Sequence, residues 1–414
     1  MNVTGIIAEY NPFHNGHLYQ LSYAKEKLKA DYIIVAMSGD YVQRGAPALL
    51  PKHIRAEMAL LGGADLVLEL PAQFSSASAE FFAEGGVSLL EGTGAVTELC
   101  FGSEEGHVEN MLLIARILTE EPEAYRTLLR QHLKEGRSFP CARNLALDRY
   151  LRASSLPVSV ETASRLLSSP NNILGIEYCK ALLQRKSSIK PVTLKRKGSG
   201  YHEAELKSRQ APSATAIRTH LQKSPKDTDT SPLKELMPEA SLRLLESSVK
   251  RNGYLTESDF DLLLHYRLLS LTPEQTAEFQ DISPELARRI QNRLNDYQGF
   301  SQFCELLKTR EITRTRIQRG LMHVLLGIRK TPEKIPYARV LGFRKDAAPL
   351  LKEIKKRGIL PLLTRPADAP ELLSPGALAF LETNTRASNI YESLLCHKEG
   401  RAFSHEYQKP VVIL

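Results

Sequence analysis

The sequence predicts an α/β protein: a doubly wound, parallel five-stranded sheet, then a mainly helical C-terminal region with a small α/β element. Three observations predict it. Short β-rich apolar runs alternate with stretches of helical period through the first two hundred residues. The 414 residues are 42% hydrophobic and 25% charged, the balance of a globular chain long enough for two or three domains. Beyond about residue 225 the apolar runs give way to helix start signals.

The elements follow in order. Val3–Ala8 (VTGIIA) is an apolar run fit for a buried strand, and Leu18, Leu21 and Leu28 then recur at helical spacing among Lys and Glu. Residues 31–37 (DYIIVAM) and 65–70 (DLVLEL) predict the second and third strands, with a helix at 52–61 between them and another near 78–90. Residues 97–101 (TELCF) predict a fourth strand, and a mostly helical stretch runs from there to about residue 186. Residues 191–196 (PVTLKR) predict the fifth. Residues 223–232 (KSPKDTDTSP) are polar and proline-bearing, the most linker-like segment of the chain. They set the expected division: a catalytic domain over 1–225 and a second region over 226–414. In the second region TESD at 256–259 and SPE at 283–285 are helix starts. A helix over 312–328 would place Ile317, Leu321, Val324 and Ile328 on one face, with Arg316 and Arg319 pointing elsewhere. Residues 338–343, 346–357 and 359–363 predict the small strand–helix–strand element.

Bulk properties exclude several classes. No segment approaches the ~20 apolar residues of a membrane span, and the N-terminus lacks the pattern of a signal peptide. Cys100, Cys141, Cys179, Cys304 and Cys396 are odd in number, widely spaced and never in a CxxC pair. A cytoplasmic location is therefore expected, and a thiolate metal site is not. The net charge of +8 is unevenly spread: residues 1–150 carry 13 Lys and Arg against 19 Asp and Glu, whereas 151–200 carry 9 against 2 and 301–350 carry 11 against 4. Two basic blocks far apart in sequence fit a long polyanion better than a small metabolite, which makes RNA an expected partner. Arg314, Arg316 and Arg319 are the expected phosphate contacts of the second block.

The chemistry concentrates where the first strand hands over to a helix, in NPFHNGHLYQ at 11–20. His14 and His17 sit there with Gly16 between, a glycine that keeps the turn small enough for a phosphate to sit against the backbone. In an open parallel sheet, ligands bind outside the carboxyl ends of the strands where the strand order reverses, usually between the first strand and the fourth. The fourth ends in Gly102, where a glycine lets backbone approach a ligand. A helix starting near His17 would also aim unpaired N–H groups at a phosphate. Two neutral imidazoles can donate hydrogen bonds to phosphate oxygens as charge builds on phosphorus. HxxH is also half of a metal site, but no third His or Cys stands at a helpful nearby spacing.

HNGH resembles the HxGH signature of the nucleotidyltransferase superfamily, whose members attack the α-phosphate of ATP and release pyrophosphate. PSATAIR at 212–218 resembles that superfamily's ISSTxxR motif, with Ser213, Thr215 and Arg218 in matching places and Ala214 where a second serine would stand. Small hydroxyls and an arginine there suit the leaving pyrophosphate. IIAEYNPFHNGHLYQ, MSGDYVQRG, CFGSEEG, SSPNNILGIEYCKAL, KRKGSGYH and SATAIR, in this order, resemble the bacterial tRNA(Met) cytidine acetate ligase family. The likeness is strong over about 1–225 and carries no equally sharp motif beyond.

The resemblance implies ATP-dependent activation of acetate to acetyladenylate, then transfer of acetyl to the wobble cytidine of elongator tRNA(Met), giving N4-acetylcytidine. It makes ATP the nucleotide, Mg2+ the companion of the triphosphate, and acetate and elongator tRNA(Met) the partners, with no membrane or DNA involved. It implies an ATP-binding segment of Ile7, Ala8, Glu9, Tyr10, Asn11, Pro12, Phe13, His14, Asn15, Gly16, His17, Leu18, Tyr19 and Gln20, with His14 and His17 catalytic. Gly102, Asn171 and Arg196 would also contact the nucleotide. Read from the residues alone, Asn171 is equally a helix cap. Asp40 serves either a turn or a ligand, and Arg44 suits either phosphate or carboxylate. Two other functions compete: a small-metabolite adenylyltransferase, which would not need the basic region 226–414, and a non-catalytic nucleotide-binding RNA-associated protein. KRKGSG at 195–200 comes near a coenzyme-A pyrophosphate loop but has Lys in place of the leading Arg or Gln.

Overall fold

A computed structural model describes residues 1–137, 139–154, 156, 158–196, 214–223, 229–251, 253–329 and 334–414. It contains two compact units, Met1–Val96 with Gly198–Leu414, and Thr97–Lys197. The cut differs from the expected boundary at 225, because the C-terminal half contributes strands to the N-terminal sheet.

The strands are β1 Val3–Ala8, β2 Tyr32–Ser38, β3 Tyr41–Val42, β4 Ala46–Pro47, β5 Leu66–Leu70, β6 Glu98–Ser103, β7 Lys190–Lys195, β8 Ala338–Phe343, β9 Leu362–Leu363 and β10 Val412–Ile413. β1, β2, β5, β6 and β7 are the five strands read from the sequence, each within two residues. In the first unit the sheet order is β10-β8-β5-β2-β1. β1 pairs in parallel with β2 from Val3↔Tyr32 to Ala8↔Met37, and β2 with β5 from Ile34↔Leu66 to Ser38↔Leu70. Every residue of β1 and β5 is buried, as expected of strands covered on both faces. In the second unit β6 and β7 pair in parallel, from Glu98↔Lys190 to Ser103↔Lys195.

The α/β class holds and the sheet is mostly parallel, but the predicted C-terminal α/β element is not a separate piece. β8 lies antiparallel against β5, Leu66 opposite Phe343, with an irregularity between Val67 and Leu68. β10 and β9 both pair in parallel with β8. The open edge of β5 presents unpaired backbone groups that something must cover; a segment some 270 residues downstream does so.

A buried ionic cluster locks that join. Lys52 Nζ stands 2.7 Å from Glu69 Oε1 and 2.8 Å from Glu406 Oε1. Arg339 reaches Glu69 Oε2 at 3.0 Å and Glu406 Oε1 at 2.5 Å. All four side chains are at most 4% exposed. Burial alone would raise the Glu69 carboxyl, but Lys52 and Arg339 outweigh it and hold it below the usual range. Glu406 is held well below by the same two cations. Asp40 joins the cluster: its Oδ1 accepts from Lys52 N at 3.0 Å and its Oδ2 lies 3.5 Å from Lys52 Nζ.

The helical part packs as its periodicity predicts. The helix Arg314–Leu326 buries Ile317, Leu321 and Val324, with Ile328 just beyond it. Thr313 caps it through a hydrogen bond from Arg316 N, and Ser283 caps Pro284–Asn292. The arginines of this helix have internal partners. Arg319 makes a paired contact to Asp281 at 2.8 and 2.9 Å and is 13% exposed. Arg314 reaches Glu305 at 2.7 Å, and Arg316 Nε donates to the Asp281 carbonyl at 3.3 Å. Among the described residues no helix is long and apolar enough to cross a membrane.

Candidate active site

β1 delivers the chain to a tight turn. Tyr10 adopts φ +46°, the Asn11–Pro12 peptide bond is cis, and the helix Asn15–Glu26 begins after His14. A buried arginine underpins this corner: Arg55 Nη1 donates to Glu9 O at 2.7 Å and Ser38 O at 3.0 Å, Nη2 to Gly39 O, and Nε to Leu50 O at 2.9 Å. One guanidinium thus ties together the carboxyl ends of β1 and β2. No sequence signal pointed to Arg55, since it lies within an ordinary amphipathic helix. Asn11 Oδ1 accepts from Leu49 N at 2.7 Å and fixes the turn further.

The two histidines form a reciprocal cap. His14 Nδ1 accepts from Gly16 N at 3.0 Å, and His17 Nδ1 accepts from His14 N at 3.2 Å. Their rings stack with centroids 3.8 Å apart at 24°, and His17 also meets Tyr10 and Phe13 at 4.8 and 5.6 Å. Because each Nδ1 accepts a backbone N–H, each neutral ring carries its proton on Nε2. Backbone geometry therefore selects the tautomer in which both Nε2 atoms are donors.

The expected unpaired N–H groups of the helix start are absent. Asn15 N donates to Leu236 O at 2.9 Å, Gly16 N to the His14 ring, and His17 N and Leu18 N to His14 O at 2.9 and 3.1 Å. Gly16 has a specific reason to be glycine: a Cβ there would lie 2.8 Å from His14 Cε1 and 3.1 Å from Nδ1. A side chain would push the ring off its seat. Gly16→Ala should therefore lower turnover by roughly 100-fold, the scale of an ångström-sized misplacement of a reacting group. Alanine favours helix over glycine by about 1 kcal/mol, which offsets a similar loss of the His14 cap, so the melting temperature should hold. Full turnover in G16A would show that the ring position is unimportant.

Arg218, on the helix Ala214–Lys223, is drawn to the same turn. Its Nη1 donates to Asn11 O at 2.7 Å and its Nη2 to Thr215 Oγ1 at 3.1 Å. Burial lowers the Arg218 pKa and the Glu9 carboxylate opposes that shift. Arg44 lies within electrostatic range of both Glu9 and Arg218. Glu9 Oε1 is engaged by Gln43 N at 2.9 Å. Glu257 also acts on Arg218, and the two guanidinium groups side by side are a setting for an anion. Of the remaining segment, Ile7 and Ala8 are buried in β1, Leu18 and Gln20 are half-buried and Tyr19 is exposed. Ser213 lies outside the described residues.

The second unit assembles its own group. Arg196 N donates to Ser103 O at 2.9 Å, and a Cβ on Gly102 would lie 3.3 Å from Arg196 Cγ, so the glycine makes room for the arginine stem. Asn171 is not a cap: the helix Pro170–Gln184 has Ser169 at its N-cap. Asn171 Nδ2 instead donates to Glu104 Oε1 at 2.6 Å. Asn172 N donates to Glu104 Oε2 at 3.1 Å, while its Oδ1 accepts from Glu104 N and Glu105 N at 2.9 and 3.2 Å. The Glu104–Asn172 clamp was missed, although both members stand inside the CFGSEEG and SSPNN stretches.

A mostly parallel sheet whose first strand runs into a turn with two tautomer-locked histidines, beside a helix-borne arginine, defines a nucleotidyltransferase type of site. Residues 1–406 match the family model described as HIGH Nucleotidyl Transferase. The tRNA(Met) cytidine acetate ligase of Clostridium acetobutylicum is 43% identical over 373 residues, covering 88% of this chain and 90% of that protein. That of Acetivibrio thermocellus is 38% identical over 424 residues, covering both chains in full. The crystal structure of apo Thermotoga maritima TmcAL superposes with a TM-score of 0.94 at 31% identity, and that of TmcAL bound with alpha-thio ATP with 0.91 at 31%; each comparison covers both chains in full. The chain belongs to the tRNA(Met) cytidine acetate ligase family.

Proposed function

We propose that this protein activates acetate with ATP and transfers the acetyl group to N4 of the wobble cytidine of elongator tRNA(Met). An acetate oxygen attacks the α-phosphorus, the bond to the bridging oxygen of the β-phosphate breaks, and pyrophosphate leaves. The cytidine N4 amine then attacks the acetyl carbonyl, loses a proton, and AMP departs. The observation that carries this reading is the histidine pair, whose Nδ1 atoms both accept backbone N–H groups and so present Nε2 donors to the α-phosphate. Donors aimed at oxygens where charge develops act most strongly in the transition state. Family membership supports ATP as the nucleotide and tRNA(Met) as the acceptor.

Ser213, Thr215 and Arg218 are assigned to the leaving pyrophosphate, and Ile7–Gln20, Gly102, Asn171 and Arg196 to the nucleotide. Mg2+ would ride on the triphosphate. Among the described residues no cluster of three or more His, Cys, Asp or Glu could cage a metal. Residues 1–225 are assigned the nucleotide chemistry and 226–414 the RNA grip. This division is one of function, since β8 and β10 complete the first unit's sheet. A cytoplasmic location is consistent with five cysteines that form no disulfide.

The test is mass spectrometry of nucleosides from elongator tRNA(Met) incubated with the protein and labelled acetate, with and without ATP. Labelled N4-acetylcytidine should form when ATP is present, with release of AMP and pyrophosphate. Label entering the tRNA from acetyl-coenzyme A in the absence of ATP would overturn the mechanism.

A further inference from the structure

Arg319 is engaged by the Asp281 carboxylate, Arg314 by Glu305 in a part-exposed pair, and Arg316 only by the Asp281 carbonyl. We propose that tRNA backbone phosphates dock instead in a pocket framed by Arg267, Arg329 and Arg386, an inference that rests on the tRNA reading above. The pocket measures about 590 Å3. Its floor is Phe279, and the Arg267 and Arg329 guanidinium groups lie 5.8 and 5.9 Å from that ring's centroid. An aromatic face steadies planar cations and leaves their N–H edges for an anion. Arg386 completes the frame at the end of the helix Arg314–Leu326, where a Cβ on Gly327 would lie 3.4 Å from its Nη2.

Little cancels this charge. Among the described residues neither Arg267 nor Arg386 has an ion pair; their contacts are Val324 O at 3.5 Å and Thr383 Oγ1 at 3.4 Å. Arg329 meets Glu278 at 3.1 Å, but the two side chains are 66% and 53% exposed, a solvated pair that exchanges readily. The carbonyl end of the helix supplies about half a negative charge. That offsets half of one arginine's charge and leaves most of the charge of the three. Guanidinium groups held together with so little compensation suit the successive phosphates of a nucleic-acid strand.

The experiment measures binding of fluorescent elongator tRNA(Met) to the full chain across a salt series, comparing R329A/R386A and R329K/R386K with the unaltered protein. Arg329 and Arg386 are both exposed, so the fold should survive. The alanine pair should bind at least tenfold more weakly, with the slope of log K against log salt shallower by about 1–2. The lysine pair should keep the slope. Acetate-dependent pyrophosphate release without tRNA should stay unchanged. Unaltered affinity and slope in R329A/R386A would overturn the site. Failure of the unaltered protein to bind tRNA at all would overturn the functional reading, and this site with it.

Discussion

His14→Ala and His17→Ala should each cut acetate-dependent pyrophosphate release by about 100-fold or more, the loss expected when one preorganised donor of ~2.7–4 kcal/mol is removed from a developing charge. The expectation rests on the geometry of both rings. Each Nδ1 is committed to a backbone N–H, so only the Nε2–H can act on phosphate, and stacking at 3.8 Å fixes the two donors relative to each other. Either alanine also removes half of the reciprocal cap, at a cost of about 1 kcal/mol. His14→Asn separates the two effects. Its Oδ1 can accept from Gly16 N and preserve the cap, while nothing reaches where Nε2 was. His14→Asn should melt near the unaltered protein and remain as inactive as the alanine variant. Turnover within a few-fold of normal in any of these variants would remove the histidines from the chemistry.

Lys52→Met should destabilise the protein by about 3–5 kcal/mol, the penalty for stranding buried charge. Lys52 is 1% exposed, and its loss leaves Glu69 and Glu406 facing each other with Arg339 as their strong cation. The effect should depend on pH with a definite sign. Both carboxyls are held below their ordinary values in the folded protein. Their contribution is therefore complete above the unfolded value of about 4.3 and is lost as pH falls through the lower folded values. Removing Lys52 lets both carboxyls move up, so acid loss of stability should begin at higher pH in the variant. Denaturant unfolding from pH 3 to 8 reads both quantities. A midpoint equal to that of the unaltered protein, with the same pH profile, would mean that Lys52 stabilises nothing.

The active corner was largely legible because it is local. His14, Gly16 and His17 lie within four residues, and the turn they occupy is marked by the run before it and the helical period after it. Even there the reason for Gly16 differed. The sequence suggested room for a phosphate, while the structure shows room for the His14 ring. Asn171 was open between cap and ligand because proline at the next-earlier position marks a helix start without saying which residue caps it. The actual partner, Glu104, is 67 residues away.

Spacing and composition by themselves determined the five strands of the N-terminal half, the histidine turn and the helix that buries Ile317, Leu321 and Val324, while ordered short motifs carried the family resemblance. These follow from periodicity and short motifs, which a chain carries in neighbouring residues. The tertiary structure alone decided that β8 and β10 close the edge of β5. It also decided that Lys52, Glu69, Arg339 and Glu406 neutralise one another, that Arg55 ties β1 to β2, and which arginines face outward. The reason is physical. An arginine's availability depends on whether a carboxylate reaches it in space: Arg319 meets Asp281, 38 residues away, and Arg339 meets Glu69, 270 residues away. Pairings at such separations leave no periodic trace in the residues around either partner.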